Sequence, residues 1–467
     1  MAYVGGPAVE SIAREFEGVS LGDERLEVRL DRMVSLIGAA PADSFPKQMG
    51  SVADREALYR FFANPKVTME GLLSGHRQQS LQRIRVHGEI RVIHDTTSLS
   101  YSGERDGLGI ITRKQKGFSA HVALAVTADE SREPLGVLGV QPFIHKETLA
   151  NRKMTRAEIT DRDRKKPRNE KESSRWEKLA IETSAMLPVE TSAIHVMDQE
   201  ADDYALFSEM QSAGLRYVVR VWPERMTAID LPVSAALATG PAKLFRSVFL
   251  QEKGGKRPRR ERIAKLRIRW GVVVLRRNRQ TMASTDEISV TAVHVYEPKP
   301  PKGEEPIQWM LFTSDSVASF KQAAAIVDHY RARWMIEEYF KALKTGCAIE
   351  KRQLTSFEGL TKALALFIPM AWHLLALRHL GRATENHPAT KLFDSEQLLL
   401  LSALLKKRRY ELPVRPLLRD VLLGIAALGG HIKNNGDPGW IVLGRGFTHF
   451  AEAETGWHLA RATYDQS

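Results

Sequence analysis

The residues best suited to chemistry lie between Tyr330 and Lys344, in the sequence YRARWMIEEYFKALK. If this segment forms one α-helix, a rotation of about 100° per residue places five polar side chains within an arc of roughly 80°. They are Tyr330, Arg333, Glu337, Lys341 and Lys344. One carboxylate, three cations and a phenol in one stripe suit a site that holds a metal ion and an anionic polymer together. The alternative is a solvated face with ion pairs such as Glu337 with Lys341.

The opposite side of this predicted helix is apolar and is expected to pack against a core. It consists of Met335, Ile336, Tyr339, Phe340 and Leu343. Glu338 lies about 100° round the helix from Glu337, so it is predicted to face away from the polar stripe. Glu337 is therefore the candidate catalytic carboxylate of the two.

Two further acidic residues end short β-prone segments elsewhere in the chain. Asp95 lies in IRVIHDTTSLSY, residues 90–101, and Asp198 lies in AIHVMDQEADD, residues 193–203. Cleavage of a phosphodiester requires an activated oxygen nucleophile and relief of charge on the leaving oxygen, and two divalent ions can do both. Carboxylates suit Mg²⁺, and Mn²⁺ is expected to substitute. We predict that Asp95, Asp198 and Glu337 are the catalytic residues and hold two Mg²⁺ ions.

The order of elements around the two aspartates predicts an α/β fold with an RNase H-like (retroviral integrase-type) core. Three strands are expected at EIRVIHD, SAHVALAVTAD and PLGVLGVQPFI, after which a charged segment, residues 151–178, leads into a helix. A strand, a helix and another strand follow, at AIHVMD, DYALFSEMQSAG and RYVVRVW. In that fold the first and fourth strands are neighbours, so Asp95 and Asp198 would meet.

A β-rich insertion is predicted over residues 225–305, with strands at KLRIRWGVVVL and EISVTAVHVY. Within it, residues 251–279 hold twelve Lys and Arg against two Glu, which is +10 of the chain's net +12. Because Arg267 and Arg269 alternate with apolar residues there, we interpret part of this basic block as a phosphate-contacting face. The alternative is a solvated or disordered segment. Strand IQWMLFTS, residues 307–314, returns to the core.

The two ends of the chain are predicted to be helical. Near the N-terminus, Asp23 and Ser51 are expected to cap helices, Asn64 to end one and Thr68 to begin another. Arginines on these helices, among them Arg29 and Arg60, fit a DNA-binding head or a helical bundle with a solvated face. The apolar C-terminal helices carry no catalytic motif and fit a packing or self-association element.

Composition supports a nucleic-acid partner. The chain has 467 residues, 43% of them hydrophobic, a net charge of +12 and an isoelectric point near 9.6. Its single cysteine, Cys347, excludes an internal disulfide and a Cys-based zinc site. The apolar run at residues 363–377 is too short to span a membrane and predicts a buried helix. Residues 1–18 lack the pattern of a secretory signal, so a cytoplasmic protein is expected.

Together these residues resemble the bacterial DDE cut-and-paste transposases of the insertion-sequence-four type, the group that includes the transposase of transposon Tn-five. The family pattern Tyr, two residues, Arg, three residues, Glu, six residues, Lys is matched between Tyr330 and Lys344. DTTSLSY with Asp95 and DQEAD with Asp198 match the other acidic motifs. LGDERL, LYRF, VVR and GW…VL…G extend the resemblance over almost the whole chain. Gln199 departs from it, because the relatives have Arg there.

The resemblance implies a transposase that excises and inserts a mobile element. Such an enzyme binds two kinds of DNA, the inverted-repeat ends of the element and the target DNA. The resemblance implies a hairpin intermediate and a synaptic homodimer in a bacterial cell. It assigns DNA contacts to Tyr330, Arg333, Lys341, Lys344, Arg220, Trp309, Arg29 and Arg60. Trp309 would stack on a flipped base; the alternative is a core strand residue.

The implied domains are a helical DNA-binding domain (1–75), a catalytic core (76–375) and a helical dimerisation domain (376–467). Two other functions remain open at this point. One is a non-catalytic DNA-binding protein, a domesticated or inhibitory relative. The other is a host RNase H-like nuclease, which would not explain the N-terminal head or the helical tail.

Overall fold

The structure is a computed structural model that describes residues 12–112, 115–144, 154–155, 158, 162, 166–238, 240, 242–252, 260–277, 283, 285–382, 387–391, 393–432 and 436–464. Contacts group the chain into two compact units. Unit 1 comprises Met1–His87, Thr96–Leu149 and Met335–Ser467. Unit 2 comprises Gly88–Asp95 and Ala150–Trp334.

The N-terminal part of unit 1 consists of helices whose starts are set by capping side chains. The helices are α1 (Glu24–Ala39), α2 (Phe45–Gln48), α3 (Val52–Ala63) and α4 (Met69–Ile84). Asp23, Ser51 and Thr68 each accept a hydrogen bond from a backbone N–H in the first turn of α1, α3 and α4. The three predicted caps are therefore confirmed, as is the end of α3 at Asn64.

The strands of unit 1 lie around one long strand. They are β2 (Gly109–Thr112), β3 (Gln115–Thr127), β4 (Pro134–Phe143) and the part of β1 (Glu89–Tyr101) from Thr96 onward. β3 lies beside β1 and pairs antiparallel with β2 and β4. A Cβ on Gly117 would lie 1.9 Å from the Leu99 carbonyl oxygen, so only glycine permits this approach of β3 to β1. The sequence did not indicate β2, which is four residues long and lacks a buried face.

Unit 2 is built on a mixed sheet in which β1 has a parallel neighbour. Its strands are the first part of β1, β5 (Ser192–Met197), β6 (Arg216–Val221), β7 (Lys243–Leu250), β8 (Arg262–Arg276), β9 (Glu287–Tyr296) and β10 (Gln308–Thr313). They lie in the order β1-β5-β6-β10-β9-β8-β7, with β1, β5 and β6 parallel and the later pairs antiparallel. The predicted pairing of the first strand with the one that ends near Asp198 is confirmed.

Helices cover this sheet. They are α5 (Arg175–Met186), α6 (Tyr204–Ser212), α7 (Val233–Ala236) and α8 (Phe320–Arg331). Trp176, Phe207, Tyr217 and Phe312 are buried in one apolar cluster between helices and strands. Most of the charged segment predicted at residues 151–178 before Lys166 lies outside the described residues.

The described part of the basic block differs from a bare cationic face. Residues 253–259 and 278–279 lie outside the described residues. In β8, Arg262 pairs with Glu297, and Arg276 pairs with Glu287 at 3.1 Å. Arg269 donates to the carbonyl oxygens of Leu237 and Ala238. These three arginines already have partners within the protein. Lys265 and Arg267 are exposed. That this face contacts phosphate therefore stays a prediction.

The segment predicted as one helix from Tyr330 to Lys344 is divided, so that prediction is wrong. α8 ends at Arg331, α9 spans Trp334–Lys341, and a π-helix spans Ala342–Gly346. Between α8 and α9, the N–H groups of Ala332 and Arg333 bind carbonyl oxygens three residues back, which tightens the chain into a turn. The predicted apolar side is right for Ile336, Tyr339, Phe340 and Leu343, which are buried.

Unit 1 ends in long helices, α10 (Phe357–Leu380), α11 (Ser395–Lys406), α12 (Leu418–Leu428) and α13 (Trp440–Tyr464). Among the described helices, only α10 has the length and apolar composition to cross a membrane, and 94% of that stretch is buried in the protein. The predicted buried helix at residues 363–377 is thus confirmed. The predicted domain boundaries at residues 75 and 375 fall inside α4 and α10.

Candidate active site

Asp95 and Asp198 lie at the same edge of the unit 2 sheet. Ile93 of β1 is paired with Val196 of β5. Asp95 lies two residues after Ile93, and Asp198 lies two residues after Val196. Because side chains alternate along extended chains, both carboxylates belong to the face that Ile93 and Val196 occupy. The parallel pairing therefore brings the two predicted acidic residues together.

The orientation of Asp198 is fixed by the turn that follows β5. Asp198 is the N-cap of a short 3₁₀-helix, Gln199–Ala201, and its Oδ1 accepts a hydrogen bond of 2.8 Å from the Glu200 N–H. This hydrogen bond uses only one of the two carboxylate oxygens of Asp198.

Asp95 forms an ion pair with Arg333, one of the residues predicted to contact DNA. Arg333 Nη1 lies 2.6 Å from Asp95 Oδ2, and both side chains are mostly buried, at 19% and 13% exposure. This ion pair joins the turn between α8 and α9 to β1.

Tyr330, Arg220 and Trp309 lie beside this ion pair. Burial raises the pKa of Tyr330, and the nearby guanidinium groups of Arg333 and Arg220 oppose that shift. The Trp309 ring meets the Tyr330 ring edge-on, with centroids 5.3 Å apart. Trp309 is half-buried in β10, and Tyr330 is only 5% exposed. Unit 2 thus gathers four predicted DNA contacts, Tyr330, Arg333, Arg220 and Trp309, near the two aspartates.

A buried hydrogen-bond chain behind the aspartates was missed in the sequence. His94 Nε2 lies 2.9 Å from His195 Nδ1, and His195 Nε2 lies 2.7 Å from Ser184 Oγ. Burial lowers the pKa of His195 to about 3, so this imidazole is neutral at physiological pH. The chain links β1 to β5 directly before Asp95. The motif His-Asp was visible, but only the register of the strands shows that the two histidines meet.

The third predicted acid, Glu337, belongs to unit 1. It lies half-buried in the first turn of α9, four residues after Arg333. Lys341 Nζ lies 2.7 Å from a carboxylate oxygen of Glu338. Glu338 also binds the Arg378 guanidinium and accepts from Trp440 Nε1 at 3.2 Å. Glu338 therefore anchors α9 to α10 and α13, and it also pairs with Lys341 of the predicted polar stripe.

The remaining predicted contacts have separate surroundings in unit 1. Lys344 Nζ donates to the Ser98 carbonyl oxygen at 2.7 Å. Arg29 Nη1 lies 3.6 Å from Asp54, and Arg60 is exposed near the end of α3. Of these three cations, Arg60 is the most open to a ligand.

Two family models match the sequence. Residues 10–67 match a transposase DNA-binding family, and residues 88–368 match a transposase DDE domain. The second match covers more than half of the chain. The chain belongs to the DDE transposase family. The DDE match begins one residue before β1, ends within α10 and contains Asp95, Asp198 and Glu337.

The transposase also resembles a solved structure, the cryo-EM structure of a piggyBac transposase synaptic complex with hairpin DNA. The sequences are 13% identical, and the TM-score is 0.34. The match covers 80% of this chain and 63% of that chain. The transposase therefore spans under two thirds of the length of the structure it matches.

DDE transposases as a family depend on divalent metal ions, and the donor atoms here fit such an ion. Among the described residues, no three His, Cys, Asp or Glu side chains form a metal-binding group. Unit 2 supplies two carboxylates, Asp95 and Asp198, at one sheet edge. Glu337, the third predicted acid, lies on α9 in unit 1. Burial raises the pKa of Cys347 to about 12, which disfavours its thiolate as a ligand. Oxygen donors of this kind suit a hard cation.

Proposed function

We propose that this transposase excises a mobile DNA element and inserts it at a new site by phosphodiester hydrolysis and strand transfer. The observation that carries the proposal is the meeting of Asp95 and Asp198 at one sheet edge, with Arg333, Arg220 and Tyr330 beside them. Carboxylates and phosphate-binding cations in one place are what cleavage of a DNA backbone requires.

We assign Asp95, Asp198 and Glu337 to two Mg²⁺ ions, for which Mn²⁺ would substitute. When bound, the metals activate the attacking oxygen and neutralise the leaving oxygen. The protein's own part is to hold the acids and the phosphate. The Glu200 N–H orients Asp198, and the cations on the turn and on α9 bind the DNA backbone.

An RNase H-like core fits this proposal. β1 has β3 beside it in unit 1, where β3 and β4 are antiparallel; in unit 2 it pairs in parallel with β5, and β5 pairs in parallel with β6. That is the strand sequence expected when acids from the first and fourth core strands are to meet. The motif spacing supports membership of the insertion-sequence-four type, with the β7–β9 region as its β-rich insertion.

We further propose that residues 1–75 recognise the inverted-repeat ends of the element. The match of residues 10–67 to a transposase DNA-binding family supports this role. Arg60, exposed near the end of α3, is suited to contact DNA, whereas Arg29 lies next to Asp54.

The C-terminal helices are proposed to join two copies of the chain in the synaptic complex. Large apolar side chains are exposed there; they include Leu399, Val414, Ile432 and Ile441. Leu399→Lys on α11 should block paired-end complexes in a gel assay, and Lys407→Leu nearby should not. Paired complexes that form normally with Leu399→Lys would remove α11 from the interface.

The function is tested with purified protein, Mg²⁺ and DNA that carries the terminal repeats flanking its gene. The transposase should nick and release those ends, and EDTA should stop it. Binding of the ends without any cleavage, in Mg²⁺ or Mn²⁺, would instead identify a non-catalytic DNA-binding relative. Cleavage without preference for the ends would identify a general nuclease.

A further inference from the structure

A cavity of about 590 Å³ opens in unit 1 beside Lys344. Three distant parts of the chain form its wall: residues 42–47 in the N-terminal region, residues 344–351, and the first half of α13. Its cationic lining residues are Lys47, Lys344, Lys351 and Arg445. Asp43 and Glu452 are its carboxylates.

Close packing of α13 fixes this wall. A Cβ on Gly444 would lie 3.5 Å from the Gly346 carbonyl oxygen, so the helix lies directly against the end of the π-helix. Arg445, the next residue, lines the cavity together with Lys344 and Thr345. The imidazole of His449, one turn further, is oriented by a 2.9 Å hydrogen bond between Nδ1 and the Leu428 carbonyl oxygen.

The charge of the cavity is not balanced by its own carboxylates. Asp43 lies 3.9 Å from Lys47, and Lys344 is held by the Ser98 carbonyl oxygen. In the described part of the chain, Lys351 and Arg445 have no carboxylate within 4.0 Å. Cations brought to one cleft by separate segments repel each other and concentrate anions there.

We propose that this cavity binds the phosphate backbone of the element's end DNA, with Lys47, Lys351 and Arg445 as phosphate contacts. This inference rests on the proposed function. It assigns DNA binding to α13, a helix that is also proposed to take part in self-association. The wall formed by Asp43 and Lys47 lies within the segment that matches a transposase DNA-binding family. For that reason the occupant is the element's end and not target DNA.

The test measures binding of a fluorescent end duplex in EDTA, so that cleavage does not interfere, across a range of salt concentrations. A shuffled duplex of equal length is the second probe. Lys47→Ala, Lys351→Ala and Arg445→Ala are compared with wild type. Lys407→Ala is the matched control, because Lys407 is an exposed cation at the end of α11 and lies outside the cavity.

Each lost phosphate contact should reduce the slope of log K against log salt by about 0.9, which is about 8-fold in affinity at 0.1 M salt. Arg445→Lys should keep the slope, because it keeps the charge, and Lys407→Ala should change nothing. Unchanged slopes for Lys351→Ala and Arg445→Ala would overturn the proposal. An equal loss with the shuffled duplex would overturn the assignment to the end.

The proposed function can fail separately. If wild type does not cleave the ends in Mg²⁺ but the three variants lose slope on the end duplex, the cavity is a DNA contact of a non-catalytic protein. If wild type cleaves and the slopes do not change, only the cavity assignment is wrong.

Discussion

Arg333 Nη1 lies 2.6 Å from Oδ2 of Asp95, within unit 2 and with both groups largely shielded from water. The guanidinium stabilises the charge of a carboxylate that has another carboxylate, Asp198, at the same sheet edge. A metal ion that binds Asp95 must compete with this cation for the oxygen. The contact therefore couples metal binding to the position of Arg333, and a DNA phosphate is an alternative partner for the guanidinium.

In the absence of DNA, removing the Arg333 guanidinium should increase the affinity of the protein for the metal ion. A hydrogen bond to a charged group contributes about 1.5–3 kcal/mol, so Arg333→Gln should bind Mn²⁺ about tenfold or more tightly, as measured by the free-ion EPR signal. End cleavage should nevertheless fall, because a phosphate contact is lost. Arg331→Gln is the matched control, since it removes a cation that pairs with Asp328 on α8. Equal Mn²⁺ affinities of wild type and Arg333→Gln would contradict the competition.

The three acids should be needed for cleavage and not for binding. Asp95→Ala, Asp198→Ala and Glu337→Ala each remove oxygen donors whose loss costs several kcal/mol, so the nicking rate should fall by about 10³-fold or more. Affinity for the end duplex in EDTA should stay within a few-fold of wild type. Glu190→Ala removes an exposed carboxylate that lies outside this group and should retain nicking. Substantial nicking by any of the three acid variants would exclude that residue from the site.

The local elements of this fold could be predicted, but contacts that depend on distant pairing could not. Asp23, Ser51 and Thr68 cap helices because the hydrogen bond is made within one turn of the chain. The break at Ala332 and Arg333 was not visible, because the ion pair that holds it reaches Asp95, 238 residues away. Likewise, His94 and His195 meet only through the parallel register of β1 and β5.

Ion pairs between distant parts of the chain could not be predicted either. The run of arginines in β8 indicated a phosphate-binding surface, but the local spacing gave no sign of the carboxylates that pair with some of these arginines. Arg262 pairs with Glu297 of the next strand, a contact set by antiparallel register. The sequence predicted the strands that lead to Asp95 and Asp198 and their pairing, whereas the availability of each cation required the tertiary structure.

Trp309 should act after the first nick, in hairpin closure. Trp309 is half-buried and its ring meets the Tyr330 ring edge-on, so the residue is not fully enclosed in the core and we expect it to stack on a flipped base. Base–aromatic stacking is worth about 1–3 kcal/mol, so Trp309→Ala should slow hairpin closure by roughly 5- to 150-fold. Nicking should change much less, and Trp309→Phe should recover part of the closure rate. Parallel losses of nicking and closure would make Trp309 a core residue.

End recognition by the N-terminal helices is best tested with point variants. Deleting residues 1–75 would remove the carbonyl partners of buried Arg352 and Lys362, at Asp43 and Phe62. Arg60→Ala should instead lower the preference for the end duplex over a shuffled duplex, by about tenfold for a lost contact of 1–3 kcal/mol. Arg32→Ala is the control, because Arg32 binds Asp54 at 2.7 Å. A preference that survives Arg60→Ala would place recognition elsewhere.

Acid should destabilise unit 1 through the buried carboxylate of Glu15. Burial would raise its pKa, but His76 and Arg83 outweigh that effect and lower the pKa to about 2, from an ordinary 4.5. Arg83 Nη1 lies 2.7 Å from Glu15 Oε1, and His76 Nε2 accepts from the Val137 N–H, which leaves Nδ1 to donate to Glu15.

Because the folded pKa of Glu15 lies below the unfolded value, its stabilisation is present above about pH 4.5 and is lost as the pH falls toward 2. A shift of this size corresponds to about 3 kcal/mol. Glu15→Gln should therefore be less stable than wild type at pH 7, and the difference should shrink between pH 5 and pH 2. Thermal unfolding at several pH values measures it, with exposed Glu17→Gln as the control. Burial lowers the pKa of His76, and the Glu15 carboxylate opposes that shift, so the wild-type curve reports the Glu15–His76 pair together. Unfolding curves that stay parallel down to pH 2 would show that the Glu15 carboxylate does not hold unit 1 together.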